Sequence, residues 1–181
     1  MRFFSTLLIT LFLIIATQSG CRKDPINTDS NAKLSFSNDT IVFDTVFTTV
    51  GSATRQFKVY NTSSQAVTIS SIQLAGGSAS NFHLNIDGVP AVSTGNILLQ
   101  GGDSMYVFVD VNVDPNNINS ALLIEDCISF VTNGNHQSVI LNAVGRDAYF
   151  YFNEYLNCNE IWNNDKPHVI YGYAAVDSAK T

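Results

Sequence analysis

Met105-Tyr-Val-Phe-Val-Asp-Val-Asn-Val113, followed by Asp114-Pro115-Asn116-Asn117, decides the fold class. Apolar side chains stand at every second position, from Met105 through Val107, Val109 and Val111 to Val113. That period places all five on one face of an extended strand, whereas a helix would need spacings of three and four. Asp-Pro-Asn-Asn is turn chemistry. The same alternation recurs on both sides of this stretch. Phe57 and Val59 alternate with Lys58 and Tyr60 before Asn61-Thr62-Ser63-Ser64 turns the chain. Val67 and Ile69 follow, and Ser70-Ser71 shifts the phase before Ile72 and Leu74, which predicts a β-bulge. Phe82, Leu84 and Ile86 end at Asp87-Gly88, a hairpin dipeptide. Ile128 and Phe130 lead to Asn133-Gly134-Asn135, and Val139, Leu141 and Ala143 run on to Gly145. No stretch carries a sustained apolar stripe at helical spacing. The chain reads as all-β.

Composition agrees and excludes several function classes. Only 13% of the 181 residues are charged, and Asn, Ser and Thr together supply 51 of them. A charged helical bundle does not follow from such a composition, and 12 Phe with 7 Tyr argue against a disordered chain. With 15 acidic against 9 basic residues and no basic cluster, there is no electrostatic footprint for nucleic acid. Seven to eight short strands over about 120 residues, with turns every 8–12, are the pattern of an immunoglobulin-like β-sandwich.

The first twenty residues form an address. Met1-Arg2 is a short positive start, Phe3 to Ala16 carries no charge, and Gln18-Ser19-Gly20-Cys21 follows. The apolar run is shorter than the roughly 20 residues of a spanning helix and suits a secretory signal. Its end resembles the lipobox of bacterial lipoproteins, with Gln18 where the usual pattern has an apolar residue, as in the looser lipoboxes of Bacteroidota. The resemblance implies removal of residues 1–20 and acylation of Cys21, by palmitate among other chains, with the protein held at the outer membrane, on its periplasmic face or at the cell surface. An ordinary cleaved signal with an incidental Cys is the plainer alternative. Residues 21–33, rich in Asn, Asp, Ser and Thr, are expected to be a flexible tether.

Residues 34–152 are expected to form the sandwich. Leu34-Ser-Phe36, Val50-Gly51-Ser52 and Phe57-Lys-Val59-Tyr-Asn61 resemble the opening of Hydin-type immunoglobulin-like domains, which also occur as choice-of-anchor modules in bacterial surface proteins. Gly102-Asp-Ser104, Val113-Asp114-Pro115 and Gly145 match the rest of that pattern. The resemblance implies a scaffold and brings no catalytic residue with it.

Residues 153–181 are expected to be a connector and one further strand, Val169 to Val176, in a C-terminal region that stops early. Asp147 to Phe152, rich in aromatics, could add a strand to the sandwich or cover a sheet edge. The whole chain is similar to Bacteroidota lipoproteins in which such a sandwich precedes a parallel β-helix, with a segment like Lys166-Pro-His-Val-Ile-Tyr-Gly-Tyr173 leading into the first rungs. The alternative is that Val169 to Val176 packs onto the sandwich.

Few residues nominate chemistry. His83, His136 and His168 lie in separate segments and share no ligand spacing. Asp110, Asp114, Glu125 and Asp126 could gather for calcium, but no Asp-x-Asp-x-Asp loop accompanies them. Cys127 and Cys158 are either two unbonded thiols or, in a secreted chain, a disulfide pinning the connector to the sandwich. Four Asp-Ser/Thr motifs match a Bacteroidota O-glycosylation sequon, at Thr40, Thr45, Ser104 and Ser178, and the same dipeptides also serve as turn chemistry. No catalytic residue, metal or cofactor is expected. The expected partners are the membrane, through the lipid anchor, and a protein or glycan ligand. The expected function is a non-catalytic spacer or interaction and adhesion module. Carbohydrate binding, with Tyr60, Tyr106, Tyr149, Tyr151 or Trp162 as a stacking platform, is the alternative.

Overall fold

The computed structural model describes residues 25–48, 50–114 and 121–176. The expected signal sequence, Cys21, Ser178 and residues 115–117 of the expected turn lie outside the described residues.

Eleven strands build two facing sheets. The first has the order β1 (Ser35–Phe36), β3 (Arg55–Tyr60), β9 (Ser104–Val111), β5 (Phe82–Ile86) and β6 (Val89–Pro90). The second runs β2 (Thr40–Phe47), β11 (Asn135–Arg146), β10 (Leu122–Thr132), β4 (Val67–Leu74) and β7 (Ser93–Thr94), with β8 (Ile97–Leu99) also on β4. Seven of these strands have five or more residues and the other four have two or three. The result is an all-β, immunoglobulin-like sandwich.

The alternating apolar residues meet between the sheets. Phe57, Val59, Leu84, Val107 and Val109 from the first sheet face Ile69, Ile72, Ile128, Phe130, Val139 and Leu141 from the second, all buried. Phe130 sits at the centre, with Phe36 at 4.9 Å and the edge of Phe57 at 6.3 Å. The phase shift at Ser70-Ser71 is a bulge: Val131 pairs with Ser71 and Thr132 with Ile69. Ser70 is the extra residue, and its hydroxyl donates to the Val131 carbonyl at 2.9 Å. Asn133 and Gly134, at φ 50° and 79°, form the two-residue turn that closes β10 onto β11.

Buried Asn61 ties two loops together, its own between β3 and β4 and the one between β8 and β9. Its amide nitrogen donates to the carbonyls of Gln65, Leu99 and Gln100, and its oxygen accepts from the Ser63 backbone and hydroxyl.

Two expectations need correction. The segment expected to hang as a tether is hydrogen-bonded to the sandwich from Ile26 onward, because amide side chains on the β10–β11 hairpin reach its backbone carbonyls. The boundary at residue 152 moves back to Arg146, since β2 pairs in parallel with β11 and fills the edge that a further strand would need. The chain instead continues into a separate sheet of β12 (Tyr149–Leu156) and β13 (His168–Val176), paired in parallel. The last strand therefore has a partner, one that Tyr149 to Phe152 begin. Of the two alternatives for Cys127 and Cys158, the structure shows the one in which they are not joined to each other. Cys127 lies within β10, opposite Ile140 of β11, and Cys158 in the connector beyond β12.

Candidate functional site at the junction of sandwich and C-terminal sheet

The polar chemistry of the described residues concentrates where the sandwich hands over to β12. The end of β2 lies beside the end of β11, so Thr48 donates its backbone N–H to the Arg146 carbonyl and its hydroxyl to Asp147 Oδ1 at 2.6 Å. Lys166, at the end of the connector, donates Nζ to Asp147 Oδ2 at 2.8 Å. Asp147 is 8% exposed. The Lys166 ammonium, and after it the Thr48 hydroxyl, hold the Asp147 carboxyl below its ordinary 3.8. The same bond raises Lys166 above its ordinary 10.5. Nearby, the Tyr149 N–H donates to the Pro167 carbonyl and the Phe150 ring meets the Phe47 edge, clamping β12 to both its partner and the sandwich.

An aromatic stack continues from this clamp. The His168 ring is stacked on Trp162 with centroids 4.4 Å apart and planes nearly parallel, and Tyr149 and Tyr151 stack at 5.1 Å and 5.6 Å from the same imidazole. His168 Nε2 is 2.7 Å from the Asn163 carbonyl oxygen, which can only accept, so that nitrogen carries the proton. Nδ1 is then the acceptor for the Tyr151 hydroxyl, at 3.0 Å. Burial, followed by the charges of Glu160 and Glu154, keeps the Tyr151 phenol above its ordinary 10.0. Both imidazole nitrogens are engaged and the phenol stays protonated at neutral pH. The arrangement fixes the connector; it presents neither a base nor a nucleophile.

The other face of β12–β13 is open. Phe152 and Tyr171 stack at 4.9 Å with 4° between their planes, and Tyr155 meets Tyr173 edge-on at 5.3 Å. Between these pairs both strands turn through a left-handed residue, Asn153 at φ 48° and Gly172 at φ 86°. A Cβ at Gly172 would fall onto Asn153 Oδ1, so the corner admits a side chain on one strand only. The register offset grows by one residue there, between Phe152 and Glu154.

The remaining candidates scatter. Thr40 is half-buried in β2, Thr45 is exposed in the same edge strand, and Ser104 opens β9 half-buried. His83 faces Asp110 across β5–β9 with Nδ1 3.6 Å from Oδ1, and His136 is exposed beside the β10–β11 turn. Asp126 instead accepts from the Gly76 N–H and the Ser80 hydroxyl. No group of three or more His, Cys, Asp or Glu residues among those described could hold a metal ion. Of the proposed stacking tyrosines, Tyr106 is covered by Phe108 on one side, and Lys58 Nζ lies 4.7 Å from its ring centroid. Thr48, Asp147, Lys166, Asn153 and Gly172 escaped the reading of the sequence. The signal for the last two was present: Tyr149-Phe-Tyr-Phe-Asn153 and His168-Val-Ile-Tyr-Gly172 align at an offset of 19 residues.

No family model and no curated protein matches the chain. Solved structures do resemble it. The CooA pilin subunit from enterotoxigenic Escherichia coli is 6% identical with a TM-score of 0.43, over 63% of this chain and 97% of that one. The Salmonella enterica SafA pilin in complex with the SafB chaperone is 11% identical with a TM-score of 0.39, over 67% and 57%. The Vibrio cholerae VesB protease is 16% identical with a TM-score of 0.39, over 62% and 31%. The chain thus spans less than two-thirds of the SafA–SafB structure and about a third of VesB. At this level of similarity no activity carries over.

Proposed function

We propose that the protein is a lipid-anchored component of the bacterial cell envelope, related to the Hydin-type and choice-of-anchor lipoproteins, whose sandwich is a non-catalytic carrier for an interacting C-terminal sheet. The observation that carries this reading is the clamp of Thr48, Asp147 and Lys166. It fixes an open face with Phe152, Tyr155, Tyr171 and Tyr173 to a rigid sandwich. Anchoring rests on the lipobox ending at Cys21. Metabolic labelling with a palmitate analogue tests it: the wild type is expected to label and to fractionate with membranes. A Cys21→Ala variant that still labels would overturn it.

A second reading is favoured by one specific feature, the matched corner at Asn153 and Gly172. Two parallel strands, bent at the same place and joined by an eleven-residue connector without a helix, are the geometry of successive coils of a parallel β-helix. The ring faces of Phe152 and Tyr171 oppose each other, as side chains one strand spacing apart do in a stack. This arrangement supports a further coil better than a sugar platform, which needs ring faces free. On this reading the chain is the N-terminal module of a longer β-helix protein. DNA beyond codon 181 is expected to encode coils of 19–20 residues with an aromatic and a Gly or Asn at the corner. A stop codon with no such reading frame after it would remove the reading.

A further inference from the structure

The way residues 25–34 lie on the sandwich gives the molecule a direction. Ile26 bridges Ala66 in parallel, and the Asn27 N–H donates to the Ala66 carbonyl at 2.7 Å. Three amide side chains of the β10–β11 hairpin then hold the segment. Asn133 Nδ2 donates to the carbonyls of Asn27 and Asp29, and Asn135 Nδ2 to those of Ser30 and Ala32. Gln137 exchanges two hydrogen bonds with the Leu34 backbone. Read in order, the segment starts at the hairpin tip and climbs along β11. Ile69 is level with Thr132, so Ala66, three residues earlier and just before β4, lies level with the Asn133-Gly134 turn or beyond it. Pro25 therefore leaves the sandwich at the tip.

β11 runs the other way, from Asn135 at the tip to Arg146 at the clamp. Twelve strand residues span about 36–40 Å. The point where the N-terminal segment arrives and the point where β12–β13 departs are thus opposite ends of the sandwich.

We propose that the β10–β11 tip faces the bilayer and that the sandwich stands on it, holding β12–β13 outward. This rests on acylation of Cys21. A free tether of 13 residues would have a root-mean-square length of about 20 Å and would let the domain tumble. With the segment docked from Ile26, the four residue steps between Cys21 and Pro25 reach at most about 14 Å. The side chains that dock it are uncharged amides, and Asp29, the carboxylate that the segment brings to the tip, is exposed and keeps its hydration. Asp147, Glu154, Glu160 and Asp165 sit at the clamp or beyond it, several screening lengths from an anionic surface. The partner of the tip is a lipid surface, and the partner of the far end is whatever β12–β13 meets away from it.

The test uses the lipidated chain in vesicles of phosphatidylethanolamine and phosphatidylglycerol containing a headgroup-nitroxide lipid, in a Cys127→Ser/Cys158→Ser background. Bimane is attached at His136→Cys, near the tip, or at Glu154→Cys, in β12. Both native residues are exposed. Strong quenching at 136 and little at 154 is expected. Asn135→Ala/Gln137→Ala, which leaves the Asn133-Gly134 turn intact, is expected to shrink that difference while the protein stays on the vesicles. Equal quenching at both sites with the protein retained overturns the orientation alone. Protein that never joins the vesicles overturns the anchoring reading, and the orientation with it.

Discussion

The sandwich and the β12–β13 sheet are both built of strands that carry apolar and aromatic side chains, yet they are held together differently. Each long sandwich strand puts one face into a core closed on the other side by a second sheet, and nothing in that core titrates. In β12–β13 only Tyr151 is buried, at 9% exposure, while Phe152 and Tyr155 stand about two-thirds exposed. The small sheet depends on ring stacks, one left-handed corner and one ion pair. Segments with few buried apolar contacts open at low free energy while the core stays folded. The sandwich is expected to be the cooperative unit, and β12–β13 an attachment that can loosen alone.

Removing one ring from each region is the harshest test of that contrast. Phe130→Ala deletes a fully buried side chain between Phe36 and Phe57 and is expected to cost about 3–5 kcal/mol in denaturant unfolding. Phe152→Ala removes a ring that is 63% exposed and touches Tyr171, at an expected cost below about 1.5 kcal/mol. Similar losses from the two variants would mean that the regions unfold as one.

Polar burial sharpens the same comparison. Asn61→Leu keeps the branched shape at that site but leaves the carbonyls of Gln65, Leu99 and Gln100 without their donor. At about 1–3 kcal/mol for each buried group left unsatisfied, a loss of about 3 kcal/mol or more is expected. It should appear as a lower midpoint for the whole sandwich. A variant as stable as the wild type would show that water replaces the amide.

A smaller, local effect is expected at the corner. Gly172→Ala places a Cβ at φ 86° and against Asn153 Oδ1. The left-handed conformation alone costs about 1–2 kcal/mol for a residue with a side chain. Hydrogen exchange should quicken in β12 and β13 and stay unchanged in β10 and β11. Faster exchange in both would tie the corner to the core and break the distinction.

The sandwich was legible because its physics is local and periodic. A face buried in a two-sheet core writes itself as alternation, as in Met105 to Val113, and turns that need positive φ write Asp-Gly and Asn-Gly. Even the bulge at Ser70 shows as a slip of phase. Edge strand β2 was harder to read: Thr40-Ile-Val-Phe-Asp-Thr-Val-Phe47 breaks its own alternation, and its Asp-Thr pairs drew notice as sequons. The junction was not legible. Thr48 and Asp147 stand 99 residues apart, and Lys166 meets them only because a connector returns the chain to the same end of β11. No spacing rule joins such residues. The docked segment failed for a related reason: Asn, Asp and Ser read as loop chemistry, and their backbone partners are amides more than 100 residues away.

The clamp supplies the mildest perturbation, proton concentration. Asp147 titrates below its ordinary 3.8 in the folded chain. A depressed carboxylate stabilises the folded form fully above its unfolded value, and that contribution is lost as pH falls through the folded value. Lys166 is raised above 10.5, so its contribution is whole below that pH and lost as pH rises through the raised value. The clamp is therefore intact from about pH 4 to 10.5 and weakens on both sides. Trp162, the single tryptophan, lies in the connector against Tyr151 and His168, so its fluorescence reports on this junction. Acid titration is expected to change that fluorescence before hydrogen exchange rises in β10 and β11. His168 also stacks on Trp162, and its Nδ1 accepts from the Tyr151 hydroxyl, so it contributes to the same signal. A His168→Asn variant run alongside separates the contribution of the imidazole stack from that of the carboxylate. In Asp147→Asn the junction should already be loose at neutral pH, and its acid-dependent step below pH 4 should vanish. An Asp147→Asn protein whose tryptophan follows the wild-type acid curve would mean that the ion pair holds nothing. The two regions would then be joined by ring stacking alone.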